Sequence, residues 1–339
     1  MAGVLRNALW PWWALQLVTG AKSFADNPLI GSRRLNEAGL HVARLRLAHS
    51  MAWSRRRRLA KLIAPVDRAA FDRDGFVLKR DFLPPEVFAR LRDGIAGYRA
   101  PAREQQQGDA ITRRIALDPD MLAAVPEARD FLAHPDFRGL VRYVGSYDSQ
   151  PLCYVQTILA RRFPGQEDPQ LHLHADTFHP TVKAWFFLSD VAEDDGPFTY
   201  VPGSHLLTPE RVAWERRKSL DARDAERLTA RGSFRIGRDE LAALDLPAAV
   251  PFAVPANTLI VADTFGFHAR GTAARASTRV EIWAYGRRNP YIPWTGLDLM
   301  SLPGITERRI GWRWKLRDRY SRWIGQPWGK AGRVTAFDE

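Results

Sequence analysis

Leu171-His172-Leu173-His174-Ala175-Asp176 alternates apolar and polar side chains and reads as a strand. Working outward from it, Tyr154–Leu159, Val182–Leu188, Phe198–Val201, Ala253–Val254, Thr258–Ala262 and Val280–Tyr285 are further short apolar or alternating runs. Clusters of Gly, Pro, Asp and Asn separate them, as turns between strands require. Many short strands with turns between them predict an antiparallel sandwich or jelly roll. Between the strands, Pro209–Arg231 is polar and reads as a helical insertion or lid. Upstream, Leu35–Ile63 reads as helix, and a short helix before Gly75-Phe76-Val77-Leu78 opens a new unit near Asp67.

Successive side chains on a strand face opposite sides, so His174 and Asp176 share a face, and His172 shares it with them. An imidazole and a carboxylate two residues apart on one face make a pair of metal ligands. The run Leu259–Phe267 leads to His268, just beyond a strand and 92 residues after Asp176. Two histidines and one carboxylate on one side of an iron ion leave positions open for other ligands, the arrangement of non-haem iron(II) oxygenases. Arg279 stands at the start of the run Val280–Tyr285. A 2-oxo diacid that chelates the metal needs a cation for its distal carboxylate, and the planar fork of arginine can grip one in two places. No one of these features is specific. Their order along the chain is.

That order resembles the phytanoyl-CoA dioxygenase family of iron(II)/2-oxoglutarate oxygenases. The resemblance starts at Phe71-Asp72-Arg73-Asp74-Gly75-Phe76-Val77 and runs through His174-Ala175-Asp176 and Lys183–Asp190. It continues with Asp195-Gly196-Pro197 and Val201-Pro202-Gly203-Ser204-His205, and closes on His268 and Arg279, covering about 67–286. It implies a mainly β chain with flanking helices, built on a double-stranded β-helix (a cupin-like jelly roll) and preceded by a helical extension. The implied metal is Fe(II) on His174, Asp176 and His268, with 2-oxoglutarate as co-substrate and O2 as oxidant. Arg279 would take the distal carboxylate of 2-oxoglutarate. Trp185 matches a position near the co-substrate, and Gln156 would add a polar contact. His172 and His179 are candidates for the substrate pocket, and His205 reads as structural. Asp176 fills the position that related iron halogenases leave without a carboxylate, which favours hydroxylation. The family often has a hydroxyl residue two positions after the distal histidine, where this chain has Arg270.

The composition agrees with a folded enzyme: 339 residues, 45% hydrophobic and 26% charged. One cysteine, Cys153, excludes an internal disulfide and a Cys-rich zinc site, and its apolar surroundings make it a core filler. The net charge of +12 sits at the two ends. Residues 1–66 carry 11 Lys/Arg against 2 acidic residues, and residues 287–339 carry 11 against 5. The expected division is therefore a basic helical extension (1–66), a dioxygenase domain (67–290) and a basic Trp-rich extension (291–339).

No apolar run is long enough to span a bilayer. The run Ala8–Val18 is short and interrupted by Pro11, and its Trp10, Trp12 and Trp13 suit a membrane–water interface. Leu40, Ala43, Leu47 and Met51 recur at helical spacing beside many arginines, the pattern of a helix lying on an anionic surface. The expectation is a cytoplasmic enzyme, peripheral on the inner membrane face, acting on a small or lipid-like anionic substrate and needing no obligate protein partner. The competing reading is a nucleic-acid-directed protein, since basic and aromatic residues together also bind single strands. An iron-free scaffold would have no use for the ligand set.

Overall fold

Alternation along the strands sorts the side chains into an inner and an outer layer. A computed structural model describes residues 9–163 and 165–339. Arg6 and Ala8, at the head of the apolar run, lie outside the described residues. The strands are β1 (Phe76–Lys79), β2 (Ala100–Gln107), β3 (Ala110–Ala116), β4 (Leu152–Ala160), β5 (Val182–Phe187), β6 (Phe198–Tyr200), β7 (Val250–Pro251), β8 (Leu259–Asp263), β9 (His268–Arg270), β10 (Ser277–Gly286) and β11 (Gly329–Val334). Eight form one antiparallel sheet, in the order β1-β8-β5-β10-β4-β3-β2-β11, and β7-β6-β9 form a second. A bridge from His174 to His268, and another from His174 to Arg235, widen the second sheet. This is the mainly β jelly roll with flanking helices that the sequence predicted.

Along β10, Val280, Ile282 and Ala284 turn outward into an apolar layer with Phe71 and Phe137. Helices cover that layer: α3 (Pro65–Asp74) and α4 (Pro135–Gly145), where α1 is Trp10–Leu17 and α2 is Leu40–Leu59. Phe186 of β5 stacks there on Phe131, ring centroids 4.6 Å apart. The alternate residues Arg279, Glu281, Trp283 and Tyr285 turn inward. Trp283 pairs in register with Trp185 of β5 and Tyr154 of β4, and Glu281 with Gln156. An aromatic inner core of Trp185, Phe198, Tyr200 and Phe252 closes one end of the sandwich. The other end stays polar and holds the site.

Three expectations need correction. The stretch 171–176 forms no continuous strand, only the bridge at His174. Its amides are divided among three segments: His174 donates to the His268 carbonyl, Ala175 to Phe234 and Asp176 to Thr264. Second, the arginines of the helix α2, expected to lie together on an anionic surface, divide: Arg46, Arg57 and Arg58 are exposed and three others are not. Ala43 and Leu47 are exposed, while Arg44, Leu45, Ala48, Ala52, Arg55 and Arg56 are buried. Arg44, Arg55 and Arg56 go in because each collects carbonyl groups that strands and helices leave over. Arg44 takes those of Leu17, Thr19 and Ala21, and Arg55 those of Ser146, Pro290 and Ile292. Arg56 takes Tyr143 and Val144 at the end of α4, and pairs with Asp263 at 2.7 Å.

The third concerns the polar excursion. It forms α5 (Pro209–Asp221) and a shorter helix, Arg227–Ala230, and packs as core rather than standing clear as a lid. Trp214 is fully buried with Phe234 and Phe267. Both chain ends join the main body. The tail supplies α6 (Arg309–Arg319) and then β11, which pairs with β2 at the sheet edge. Among the described residues no helix is long and apolar enough to cross a membrane.

Candidate metal centre

His268 begins β9, and His174 lies beside it in the same small sheet, so their rings come within 4.5 Å, centroid to centroid. Asp176 follows two residues on. Its Oδ1 is 3.8 Å from His174 Nε2 and 3.7 Å from His268 Nε2, and the three donor atoms lie within 4.8 Å of one another. Each imidazole is held by its other nitrogen. His174 Nδ1 meets the His172 carbonyl at 2.8 Å, and His268 Nδ1 meets that of Gly266 at 2.9 Å. A proton on Nδ1 donates to each carbonyl and leaves the Nε2 lone pairs directed at the common point, the support metal-binding histidines need.

The electrostatics also suit ligation. Burial drives His174 well below the usual imidazole range and His268 down to about 4, so both rings are neutral at physiological pH. Burial alone would raise Asp176, but its neighbours, the Lys183 ammonium foremost, outweigh it and hold the carboxylate ionised. Lys183 Nζ is 2.6 Å from Asp176 Oδ2.

The centre opens into a cavity of about 570 Å³. Arg279, Trp185 and Gln156 all line it, with the triad. Arg279 donates to the Gly196 carbonyl at 2.6 Å and lies 3.0 Å from Glu281. Gln156 accepts from Arg114 and donates to Glu281, at 2.8 and 2.7 Å. Trp185 stacks on Phe198 with centroids 4.0 Å apart. Arg270 faces the cavity and pairs with Asp168 at 2.7 Å.

Two expected pocket residues are elsewhere. His172 turns out to solvent and pairs with Glu167 at 2.7 Å, because 171–176 lacks the strand pleat that would have kept it beside His174. His179 is buried off the cavity, its Nδ1 on the Pro180 carbonyl, against the segment at Gly20. His205 is buried against Phe71, as a structural residue would be, and Cys153 is a buried thiol pushed by burial up to about 12.

Several residues of the site were not foreseen. Lys183 alternates with Trp185 on β5, and the same-face argument that paired His174 with Asp176 would have found it. Ser204, in the Pro-Gly-Ser-His turn, donates to the Val201 carbonyl and accepts from the Phe267 amide at 2.8 Å, which steadies the residue before His268. Lys22 had no local signal. It comes from the amino-terminal region and donates to the Asp176 carbonyl.

A model of the phytanoyl-CoA dioxygenase family matches residues 71–242. The match contains His174 and Asp176 and ends before His268 and Arg279, which the fold brings back to them. No curated protein matches the sequence. Among solved structures, the chain is similar to the non-haem α-ketoglutarate-dependent epimerase SnoN of nogalamycin biosynthesis, at 20% identity over 72% of this chain and 93% of that one, with a TM-score of 0.42. It is also similar to HygX from Streptomyces hygroscopicus with nickel, 2-oxoglutarate and hygromycin B bound, at 16% identity over 71% and 93%, with a TM-score of 0.42.

Proposed function

Because the chain belongs to the phytanoyl-CoA dioxygenase family, we propose that it is an iron(II)- and 2-oxoglutarate-dependent dioxygenase that hydroxylates a C–H bond of an anionic, lipid-like substrate. The observation that carries this reading is the donor set. Two Nε2 atoms and one carboxylate oxygen converge, with both Nδ1 atoms tied to carbonyls, at the floor of a cavity that Arg279 also lines.

His174, Asp176 and His268 would hold the iron, and nitrogen–nitrogen–oxygen donation with open positions suits iron(II). With 2-oxoglutarate and O2, the bound metal supplies the oxidising power to place a hydroxyl on an unactivated carbon. The chain's own residues do the rest. Arg279, on a strand and buried to 5% exposure, is placed to receive the distal carboxylate of 2-oxoglutarate. Glu281 and the Gly196 carbonyl fix its guanidinium in advance. Trp185, Phe198 and Trp283 wall the cavity and keep water from its floor. Hydroxylation rather than halogenation is favoured because Asp176 supplies the carboxylate ligand.

The test is succinate formation from 2-oxoglutarate by the iron-loaded chain, with and without His174→Ala. Loss of the ligand should reduce turnover by at least ~100-fold, the scale of removing a group that acts as a unit with its partners. A variant that still turns over at the wild-type rate would sink the assignment.

The substrate reading includes a membrane surface as the place of encounter. Trp10, Trp12 and Leu15 of α1 are exposed, as are Trp312, Leu316, Trp323 and Ile324 of the tail, among the basic residues of both ends. Exposed aromatic and aliphatic side chains beside arginines suit an anionic bilayer interface. Binding to nucleic acid is the alternative that a liposome comparison separates.

A further inference from the structure

Nine cationic side chains line the cavity, against one acidic one, Asp176. Iron(II) and 2-oxoglutarate carry opposite charges of equal size, so loading the site leaves this excess in place. Part of it is neutralised, Arg270 by Asp168, Arg279 by Glu281, Lys183 by Asp176 and Arg235, at the longer distance of 3.9 Å, by Glu226. Among the described residues no ion pair is formed by Lys22, Arg114, Arg287, Arg313 or Arg317. Arg114 is spent on Gln156 and on the face of Trp283, 4.0 Å below it. Lys22 and Arg287 each give one donor to a backbone carbonyl, of Asp176 and of Gly20, and form no ion pair.

Two of them are delivered with some care. Lys22 follows a loop whose carbonyl groups are fixed one by one: Leu17, Thr19 and Ala21 by buried Arg44, Val18 by Asn289, and Gly20 by Arg287 itself. Phe24 and Ala25 then bond to the Ala230 carbonyl. So many bonds on one short loop hold Lys22 against Asp176 and place Arg287 beside it. Arg235, whose backbone is bridged to His174, is also near Lys22, while Arg279 and Arg270 are tied to Glu281 and Asp168. Lys22 and Arg287 both lie outside the segment matched to the family, 71–242.

We propose that Lys22, Arg235 and Arg287 form an anion subsite that holds a phosphate, or another dianionic group, of the substrate next to the metal centre. This rests on the oxygenase reading above and specifies the substrate that such an enzyme takes. Lysine and arginine together favour a dianion, since each adds charge-assisted donors. The rim supplies Arg313, Trp314 and Arg317 from α6, which extends the same preference outward. The extension at the amino terminus therefore completes the active site.

The experiment uses the full chain loaded with zinc(II), which is redox-inert, and saturated with 2-oxoglutarate. Calorimetry compares 2-naphthyl phosphate with 2-naphthol. The phosphate should bind at least ~10-fold tighter, and Lys22→Gln and Arg287→Gln should each weaken it by ~10-fold, the size of one hydrogen bond to a charged group. Lys22→Arg, which keeps the charge, should retain most of the affinity. Equal binding of phosphate and naphthol would overturn the subsite. So would unchanged affinity in Lys22→Gln and Arg287→Gln, or a Lys22→Arg as weak as Lys22→Gln. Competition of the phosphate with 2-oxoglutarate would assign the anion to Arg279 and overturn it too. Succinate formation by the iron-loaded wild type is measured beside it. Succinate without phosphate binding removes the subsite alone, and phosphate binding without succinate removes the oxygenase reading.

Discussion

Histidine plays opposite parts in this chain. His174 and His268 are tied at Nδ1 and free at Nε2, whereas His49 and His205 are buried with neither ring nitrogen bonded. Burial brings His205 down to about 3 and His49 well below the ordinary value of 6.5. Both are neutral in the fold and take up protons once unfolded, so their contribution is full above pH 6.5. It falls as the pH drops from there toward 3. The urea midpoint of chelator-treated protein should accordingly decline from pH 7.5 to 5, and less so in His205→Leu. A midpoint flat across that range would contradict neutral burial. Gly266 is the other residue fixed by its neighbours. A Cβ there would stand 1.8 Å from the Tyr200 hydroxyl, so the turn that supplies the carbonyl for His268 admits only glycine.

The helix α2 shows why an element's role is harder to read than its existence. Its span was legible from apolar spacing and ends close to where it was expected, yet three of its six arginines, Arg44, Arg55 and Arg56, are buried. Periodicity reports which residues lie on one side. It cannot report that backbone carbonyls of other segments wait there for donors. Arg56 and Asp263 illustrate the energetics, being 1% and 0% exposed and 2.7 Å apart. Arg56→Met leaves a buried carboxylate with only the amides of Thr181 and Phe265. It should cost about 3–5 kcal/mol in urea unfolding, and removing both partners together should cost much less. Equal losses in the single and double variants would show that the guanidinium matters for its carbonyl contacts instead. The same limit explains the missed strands. β2 reads APAREQQQ and β3 reads AITRRIA, too polar to announce themselves, because Gln105, Gln107, Thr112 and Arg114 line the polar side of the cavity. The β-rich centre was legible because alternation is a local property, and the triad and Arg279 because their order along the chain resembles that of the family. Lys22, Arg287 and β11 were not, since only the packed chain decides who their neighbours are.

At the scale of the molecule, the two basic ends divide their side chains between the cavity and the surface. Lys22, Arg313 and Arg317 face the cavity, while Trp12, Trp312 and Trp323 are exposed. An interface built this way would bring an anionic lipid to the mouth of the site. Flotation with anionic vesicles at moderate salt should carry the full chain up, and neutral vesicles or DNA at matched salt should not. Trp12→Ala with Trp323→Ala should weaken the vesicle association by about tenfold, as lost interfacial area predicts. Association that prefers DNA, or that ignores the tryptophans, would turn the reading toward nucleic acid.

The pairing of β11 with β2 also sets an order of events during synthesis. His174, Asp176 and His268 are translated well before Trp328, which lines the cavity, and before Ala336, whose carbonyl takes the Thr157 hydroxyl. A growing chain thus has every metal ligand before the residues that complete one wall of its pocket. Iron caught at that moment would meet oxygen without a shielded floor. The strand that carries this sheet edge is thus translated after every metal ligand.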